Sequence, residues 1–335
     1  MKSWHRLRGT IAAALSTLVT AGWITLPADP AAAVAVPYEG LSYYIQTNSP
    51  AKLYELGCQM GDLDYSRAGT QHTLVVLQFG GPTLVNGVQG ATLYAGPNST
   101  TSQILAAVKE YAHGYWYCAG ADTTSVVEVG IGTNNNTGTS YVTNASGKAW
   151  AQMVSAFGTW LGTVPYGNQV LAAGANDIEP GFGAPANARA WVDGYASAYT
   201  RRLLNNGSAD GCPSGHLPGS TECGTSDHPE WGPEDIYHVS WGSAPSYPLP
   251  QIYLTNGVQA QQWYWLSRYA VSSHGSKMLF AGSATQRRDC ADEACSGTDN
   301  VPSAGYTQLY NALAQNSATA MTPPGATDFS GYYTP

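Results

Sequence analysis

Strand-like and helix-like segments alternate along almost the whole chain, and this alternation narrows the possible folds more than any other feature. Strands separated by helices pair in parallel, with each helix serving as the crossover. Runs rich in β-branched and aromatic residues predict eight strands, at 42–46, 73–79, 126–133, 170–179, 203–207, 236–241, 251–254 and 277–284. Between them, apolar residues recur near i, i+3, i+4, i+7. Ile104, Val108, Tyr111 and Tyr115 mark one helix, and Trp150, Val154, Phe157 and Leu161 a second. Trp191, Val192, Tyr195 and Tyr199 mark a third, Trp263, Leu266 and Ala270 a fourth, and Tyr306, Leu309, Tyr310 and Leu313 a closing one. Eight such units describe an α/β fold of the (β/α)8 TIM barrel type, a single domain over residues 37–335. No Pro/Ser/Gly linker or charge run divides it. The alternative is an open doubly wound sheet, which usually carries a Gly-rich nucleotide loop after its first strand. Here Thr47-Asn48-Ser49-Pro50 stands in that place.

The amino terminus has a different character. Lys2, Arg6 and Arg8 precede an apolar stretch at 11–26, and Ala31-Ala32-Ala33 follow Pro30. Basic flank, apolar middle and small exit residues predict a cleavable signal peptide over residues 1–33, with the mature chain starting between Ala31 and Val36. The run is shorter than the ~20 residues a membrane span needs, and no later segment is long and apolar enough to cross a bilayer. The expectation is a secreted, extracellular protein. Loss of the leader removes three basic residues and Asp29, moving the formal net charge of −8 two units further negative. An acidic surface without basic runs argues against nucleic acid or anionic lipid as a partner. Charged residues are 11% of the chain, against about 25% in ordinary soluble proteins. Hydroxyls, amides and aromatic rings take their place, a surface suited to neutral sugars.

Six cysteines, all beyond the leader and without zinc-ribbon spacing, favour disulfides over a metal site. In a barrel, Cys58 and Cys118 fall at the amino-terminal end of the strands. Cys212 and Cys223 fall in the loop after strand five, and Cys290 and Cys295 after strand eight. Three bridges follow from that placement: Cys58–Cys118, Cys212–Cys223 and Cys290–Cys295.

Barrel enzymes place their reacting groups at the carboxyl ends of the strands. The segment Gly174-Ala175-Asn176-Asp177-Ile178-Glu179-Pro180 ends predicted strand four. Asp177 and Glu179 share a face of the strand, about 6.6 Å apart at Cα, and Ala173 and Ala175 below them leave room. Two carboxyls this close raise the pKa of one, which can then donate a proton near neutral pH. Cleavage of a glycosidic bond requires such an acid. A structural pair that holds loop backbone is the competing reading.

Asp177-Ile178-Glu179 resembles the D-x-E ending of strand four in family 18 chitinases and, more loosely, family 25 lysozymes. The resemblance implies Glu179 as the acid that protonates the leaving oxygen and Asp177 as the helper that supports the substrate's own acetamido group. The chain departs from the chitinase run at Ala172 and Ala175, and from the lysozymes at Tyr43-Tyr44-Ile45-Gln46, where each family has aspartate. Along most of its mature length the chain is similar to a group of exported actinobacterial proteins with glycoside-hydrolase-like barrels and no assigned activity. The segments Asn176-Asp177-Ile178-Glu179-Pro180, Gly207-Ser208-Ala209-Asp210-Gly211-Cys212-Pro213, Val239-Ser240-Trp241-Gly242 and Thr307-Gln308-Leu309-Tyr310 carry that similarity.

Asn134, Gln46, Gln78 and Gln286 fall at or near strand ends, where amides can bind sugar hydroxyls or hold loop backbone. Trp241 and Tyr253 are placed at the ends of strands six and seven as stacking platforms. Glu128 points into the barrel about 20 Å below the mouth, where a structural role is expected. Asp227, His228 and Glu230 match no metal-ligand spacing. The G-x-S-x-G, H-E-x-x-H and G-x-x-x-x-G-K-[ST] motifs are absent, so no metal and no cofactor is expected. The expected partner is a polysaccharide or peptidoglycan-like glycan. A secreted glycosidase, leaning on Glu179 and Asp177, is the first reading. A non-catalytic carbohydrate-binding barrel at the cell envelope is the second, and an envelope interaction protein the third.

Overall fold

A computed structural model describes residues 34–136, 141–210, 212, 230–292, 295 and 297–333. The chain runs β1 (Glu39–Ile45), α1 (Pro50–Ser66) and β2 (His72–Gln78), then an inserted trio of β3 (Gly81–Val85), β4 (Val88–Thr92) and β5 (Asn98–Thr100). It continues with α2 (Thr101–Ala119), β6 (Val126–Asn134), α3 (Asn144–Leu161), β7 (Val170–Asp177), α4 (Pro185–Ala196) and β8 (Leu203–Asn205). The last part holds α5 (Pro233–Tyr237), β9 (Ser246–Pro248), α6 (Val258–His274), β10 (Ser283–Thr285), α7 (Arg287–Asp292), α8 (Pro302–Ala314) and β11 (Ala326–Tyr333). Four helices (α1, α4, α5, α8) begin with proline, whose missing N–H is no loss in a first turn. Thr100 with Gln103 and Thr143 with Ser146 cap α2 and α3 reciprocally. No helix among the described residues is long and apolar enough to cross a membrane.

Eight parallel strands form one sheet in the order β10-β11-β1-β2-β6-β7-β8-β9. Hydrogen bonds extend the pairing beyond the short β9. The Leu249 and Gln251 amides donate to the Asn205 and Gly207 carbonyls on one side. On the other, the Ala281 and Ala284 amides donate to the Pro248 and Pro250 carbonyls. Each proline lacks a donor but keeps its acceptor, so the segment still bridges its neighbours. The sheet therefore closes on itself as the α/β barrel expected from the alternation, and barrel strands one to eight are β1, β2, β6, β7, β8, β9, β10 and β11.

Eight barrel strands are present, but one expected strand is helical and the last strand of the barrel lies beyond the expected set. Residues 236–241, expected as strand six, are helical: α5 runs into a π-turn over His238–Gly242. Pro233-Glu234-Asp235 is a helix start, with the Asp235 carboxylate accepting from the Gly232 N–H at 3.0 Å, and it overrides the β-branched and aromatic residues after it. Gln251 and its neighbours are the end of strand six, and residues 277–284 contribute strand seven. Strand eight is β11, which apolar periodicity missed because Thr327, Asp328, Ser330 and Gly331 dilute it. Its register against β1 slips between Ser42 and Tyr44, and Gly331 with φ +86° takes up the bulge.

The barrel interior is packed by Leu74, Val76, Ala173, Ala175, Leu204, Leu249, Ala284 and Phe329. Glu128, at the bottom of β6, is paired through both carboxylate oxygens with Arg202 Nε and Nη2, the structural role expected for it. A cavity of about 420 Å³ opens at this amino-terminal end, between Glu128, Arg202, His72 and Tyr38. Outside, α1 and α2 approach so closely that a Cβ on Gly57 would lie 2.0 Å from the Tyr111 carbonyl oxygen. The Cys58–Cys118 bridge ties these two helices, and Cys290–Cys295 closes a short loop after strand seven rather than strand eight. Two of the three expected bridges thus lie among the described residues. The third rests on Cys223, which lies outside them.

Candidate active site

Strand four delivers the carboxyl pair to the mouth of the barrel. Asp177 is its last residue, paired in register with Asn134 of β6, and is 5% exposed. Glu179 follows two residues later and remains partly exposed. The Asn135 carboxamide fixes the backbone there: its Nδ2 donates to the Glu179 carbonyl at 3.1 Å, and its Oδ1 accepts the Glu179 N–H at 3.2 Å. Pro180 then turns the chain away into a short helical turn.

The two side chains meet on a third. Gln251 Nε2 donates to Asp177 Oδ1 at 2.9 Å and to Glu179 Oε1 at 2.6 Å. Burial and the neighbouring Glu179 charge push the Asp177 carboxyl well above its usual range, against the opposing donation from Gln251. Burial also pushes Glu179 up, to about 7; the Gln251 amide and the Ser208 backbone N–H oppose this, and the Asp210 charge adds to it. The two carboxyls face each other beside that amide, and each perturbs the other. Near neutrality the pair keeps a proton, and its accessible member is Glu179. Such a pair can deliver a proton to an oxygen brought to the mouth and take one back.

Aromatic and amide groups surround the pair. Tyr253, 8% exposed, follows strand six, and its hydroxyl feels both carboxylates and lies against Tyr44. Tyr44 of strand one stacks on Phe329 at 5.0 Å and meets Tyr94 edge-on at 5.0 Å. Tyr94 comes from the β3–β5 insertion, and its hydroxyl accepts from Asn134 Nδ2 at 2.9 Å. Beneath them Gln78 Nε2 crosses the barrel to Asn206 Oδ1 at 3.2 Å. Gly132 makes room for that crossing, since a Cβ there would sit 2.2 Å from Gln78 Oε1.

Of the residues expected at the site, Glu179, Asp177, Tyr253 and Asn134 come together at the mouth. Gln78 lies fully buried as part of its floor. Gln46 sits half-buried at the end of strand one, with its carbonyl against Gly96 of the insertion. Gln286 follows strand seven and donates to the Thr298 carbonyl at 3.2 Å. Trp241 is a correction. It lies in the π-turn before strand six, at the opposite end of the barrel, edge-on to Tyr247 at 5.2 Å. Glu230 is exposed, and Asp227 and His228 lie outside the described residues. Cys58, Asp62 and Cys118 lie at ligand-like spacing, but both thiols are taken by their bridge.

Gln251, Tyr44, Asn206 and Tyr94 were not singled out from sequence. The predicted strand at 251–254 makes Gln251 its first residue, at the amino-terminal end of the barrel, whereas the structure places it at the end of strand six. The insertion had a legible signal in Val85-Asn86-Gly87-Val88. Asn86 at φ 52° and Gly87 at φ 80° make the two-residue hairpin turn such a dipeptide favours.

No protein-family model matches the chain, and no curated protein sequence matches it. Among solved structures, the chain is similar to the apo homocysteine methyltransferase MmuM from Escherichia coli, at 11% identity and a TM-score of 0.43, over 88% of this chain and 91% of that one. It is also similar to the GH113 β-mannanase AaManA from Alicyclobacillus acidocaldarius in complex with ManMIm, at 12% identity and a TM-score of 0.41, over 88% and 86%. A third is the endo-1,4-β-mannanase from Rhizomucor miehei, at 9% identity and a TM-score of 0.38, over 88% and 85%. At these scores the likenesses bear on neither reaction nor substrate.

Proposed function

We infer that the protein is a secreted glycoside hydrolase acting on an extracellular or cell-wall glycan, with Glu179 as proton donor and Asp177 as its helper. The observation that carries this reading is the carboxyl pair at the carboxyl end of strand four. Both members are pushed up by burial, one is accessible, and both are held by a single amide. Glycosidic cleavage requires a carboxyl that is still protonated near neutral pH, and a site that keeps it in place. Tyr44 and Tyr94, both partly exposed beside the pair, give the mouth aromatic walls that suit a pyranose. The leader at 1–33 supplies the route to an extracellular glycan.

A non-catalytic glycan-binding barrel is the second reading. It is favoured by the amides that end strands six and seven, Gln251 and Gln286, where a second carboxylate would face strand four. The mature protein should be incubated with chitin, peptidoglycan and soluble plant and bacterial polysaccharides, with reducing-end release and binding measured together. Release of reducing ends supports the hydrolase. Saturable binding without release, across the same panel, supports the binding barrel and contradicts the hydrolase.

A further inference from the structure

The hydrolase reading leaves open what keeps two carboxyls in contact at the end of one strand. Alternate residues of a strand point the same way but diverge with its twist, and ionised carboxylates repel each other. The third partner comes from across the mouth. We propose that Gln251 is the positioning residue of the strand-four pair, its one amide group holding Asp177 and Glu179 side by side.

The geometry fits the chemistry of that amide. A primary amide has two N–H donors on one nitrogen, and Gln251 Nε2 lies within hydrogen-bond distance of one oxygen of each carboxyl, at 2.9 and 2.6 Å. With one oxygen of each carboxyl so engaged, the two carboxyls are held at one point across the mouth. Gln251 is itself 6% exposed, and its backbone is anchored by donation to the Gly207 carbonyl. An amide is also neutral: a lysine ammonium here would favour the ionised carboxylates, and a glutamate would add a third carboxyl. The other groups facing the pair are Asp210 and the Ser208 N–H after strand five, Tyr44 on strand one and Tyr253 after strand six. Burial holds both tyrosine hydroxyls well above their usual range, so they stay protonated while the pair titrates. The proposal rests on the assignment of Asp177 and Glu179 as the reacting pair, but its test does not require turnover.

The test is an NMR titration of the mature protein with ¹³C-carboxyl Asp and Glu and ¹⁵N side-chain Gln labels. In the wild type, the Gln251 NH₂ resonances should move with the same midpoint as the Glu179 carboxyl. Gln251→Leu and Gln251→Met keep the volume and remove both donations, and the midpoint should then rise by about one pH unit, a tenfold weaker acid. On any glycan the wild type cleaves, the alkaline limb of the pH–rate profile should move up with it. Gln251 resonances that do not respond at the Glu179 midpoint overturn the proposal, and that wild-type result needs no variant to fold. A folded variant with an unchanged or lowered midpoint overturns it as well. A protein that cleaves no glycan yet titrates as described loses the hydrolase reading and keeps the assignment of Gln251.

Discussion

Replacement of Glu179 by Gln should change how stability depends on pH, and the size of the change follows from the site. In the folded protein the Glu179 carboxyl is pushed up to about 7 from its ordinary 4.5. Between those values the folded state holds the proton more tightly than the unfolded chain. A group raised in this way stabilises most at low pH, and its contribution falls once the pH exceeds the unfolded value, until it has passed the folded one. At 1.36 kcal/mol per unit, the loss between about pH 5 and about pH 8 is about 2.5 kcal/mol. Glu179→Gln has no carboxyl to ionise and keeps an oxygen for the Gln251 amide, so this loss should vanish. Burial still holds Asp177 up in the variant, and removing the neighbouring charge takes away the second cause of its shift. Urea denaturation of both proteins at the two pH values measures the effect. The wild type should lose about 2.5 kcal/mol more than the variant on going from pH 5 to pH 8. Parallel losses in the two proteins would refute the burial and charge coupling assigned to the pair.

Two further predictions concern the chain as a whole. The secreted protein should begin between Ala31 and Val36, and intact-mass measurement of culture supernatant should find no species that keeps residues 1–33. Cys58→Ser together with Cys118→Ser opens a bridge that spans 60 residues of sequence and should cost about 4 kcal/mol by the loop-entropy relation, read from denaturation midpoints; a loss under about 1 kcal/mol would contradict that.

The barrel was legible in the sequence because short apolar runs alternate with periodic helices through its first half, and β1, β2, β6, β7 and β8 lie where those runs predicted, although Leu203-Leu204-Asn205 carries no β-branched residue. The second half was harder for identifiable reasons. Tyr247-Pro248-Leu249-Pro250-Gln251 carries two prolines, a pattern that argues against a central strand, yet the proline carbonyls supply the pairing. Ile236 to Trp241 reads as strand by composition, but the Pro233-Glu234-Asp235 start makes it helical. Glu179 and Asp177 were found because strand four was placed correctly. Trp241 was misplaced, and Gln251 missed, because strand six was not. Tyr94 reaches the mouth from an insertion whose place beside strand one is set by tertiary bonds, among them Tyr94 N–H to the Ile45 carbonyl, that no local pattern encodes.

The most direct measurement is turnover by wild type and Glu179→Gln on a glycan the wild type cleaves, with melting temperatures taken at about pH 5, where the variant should differ little in stability. If Glu179 donates the proton, kcat should fall by roughly 10² to 10⁴, with the melting temperature nearly unchanged. Full turnover by Glu179→Gln on that substrate would contradict the assignment of Glu179 as the acid.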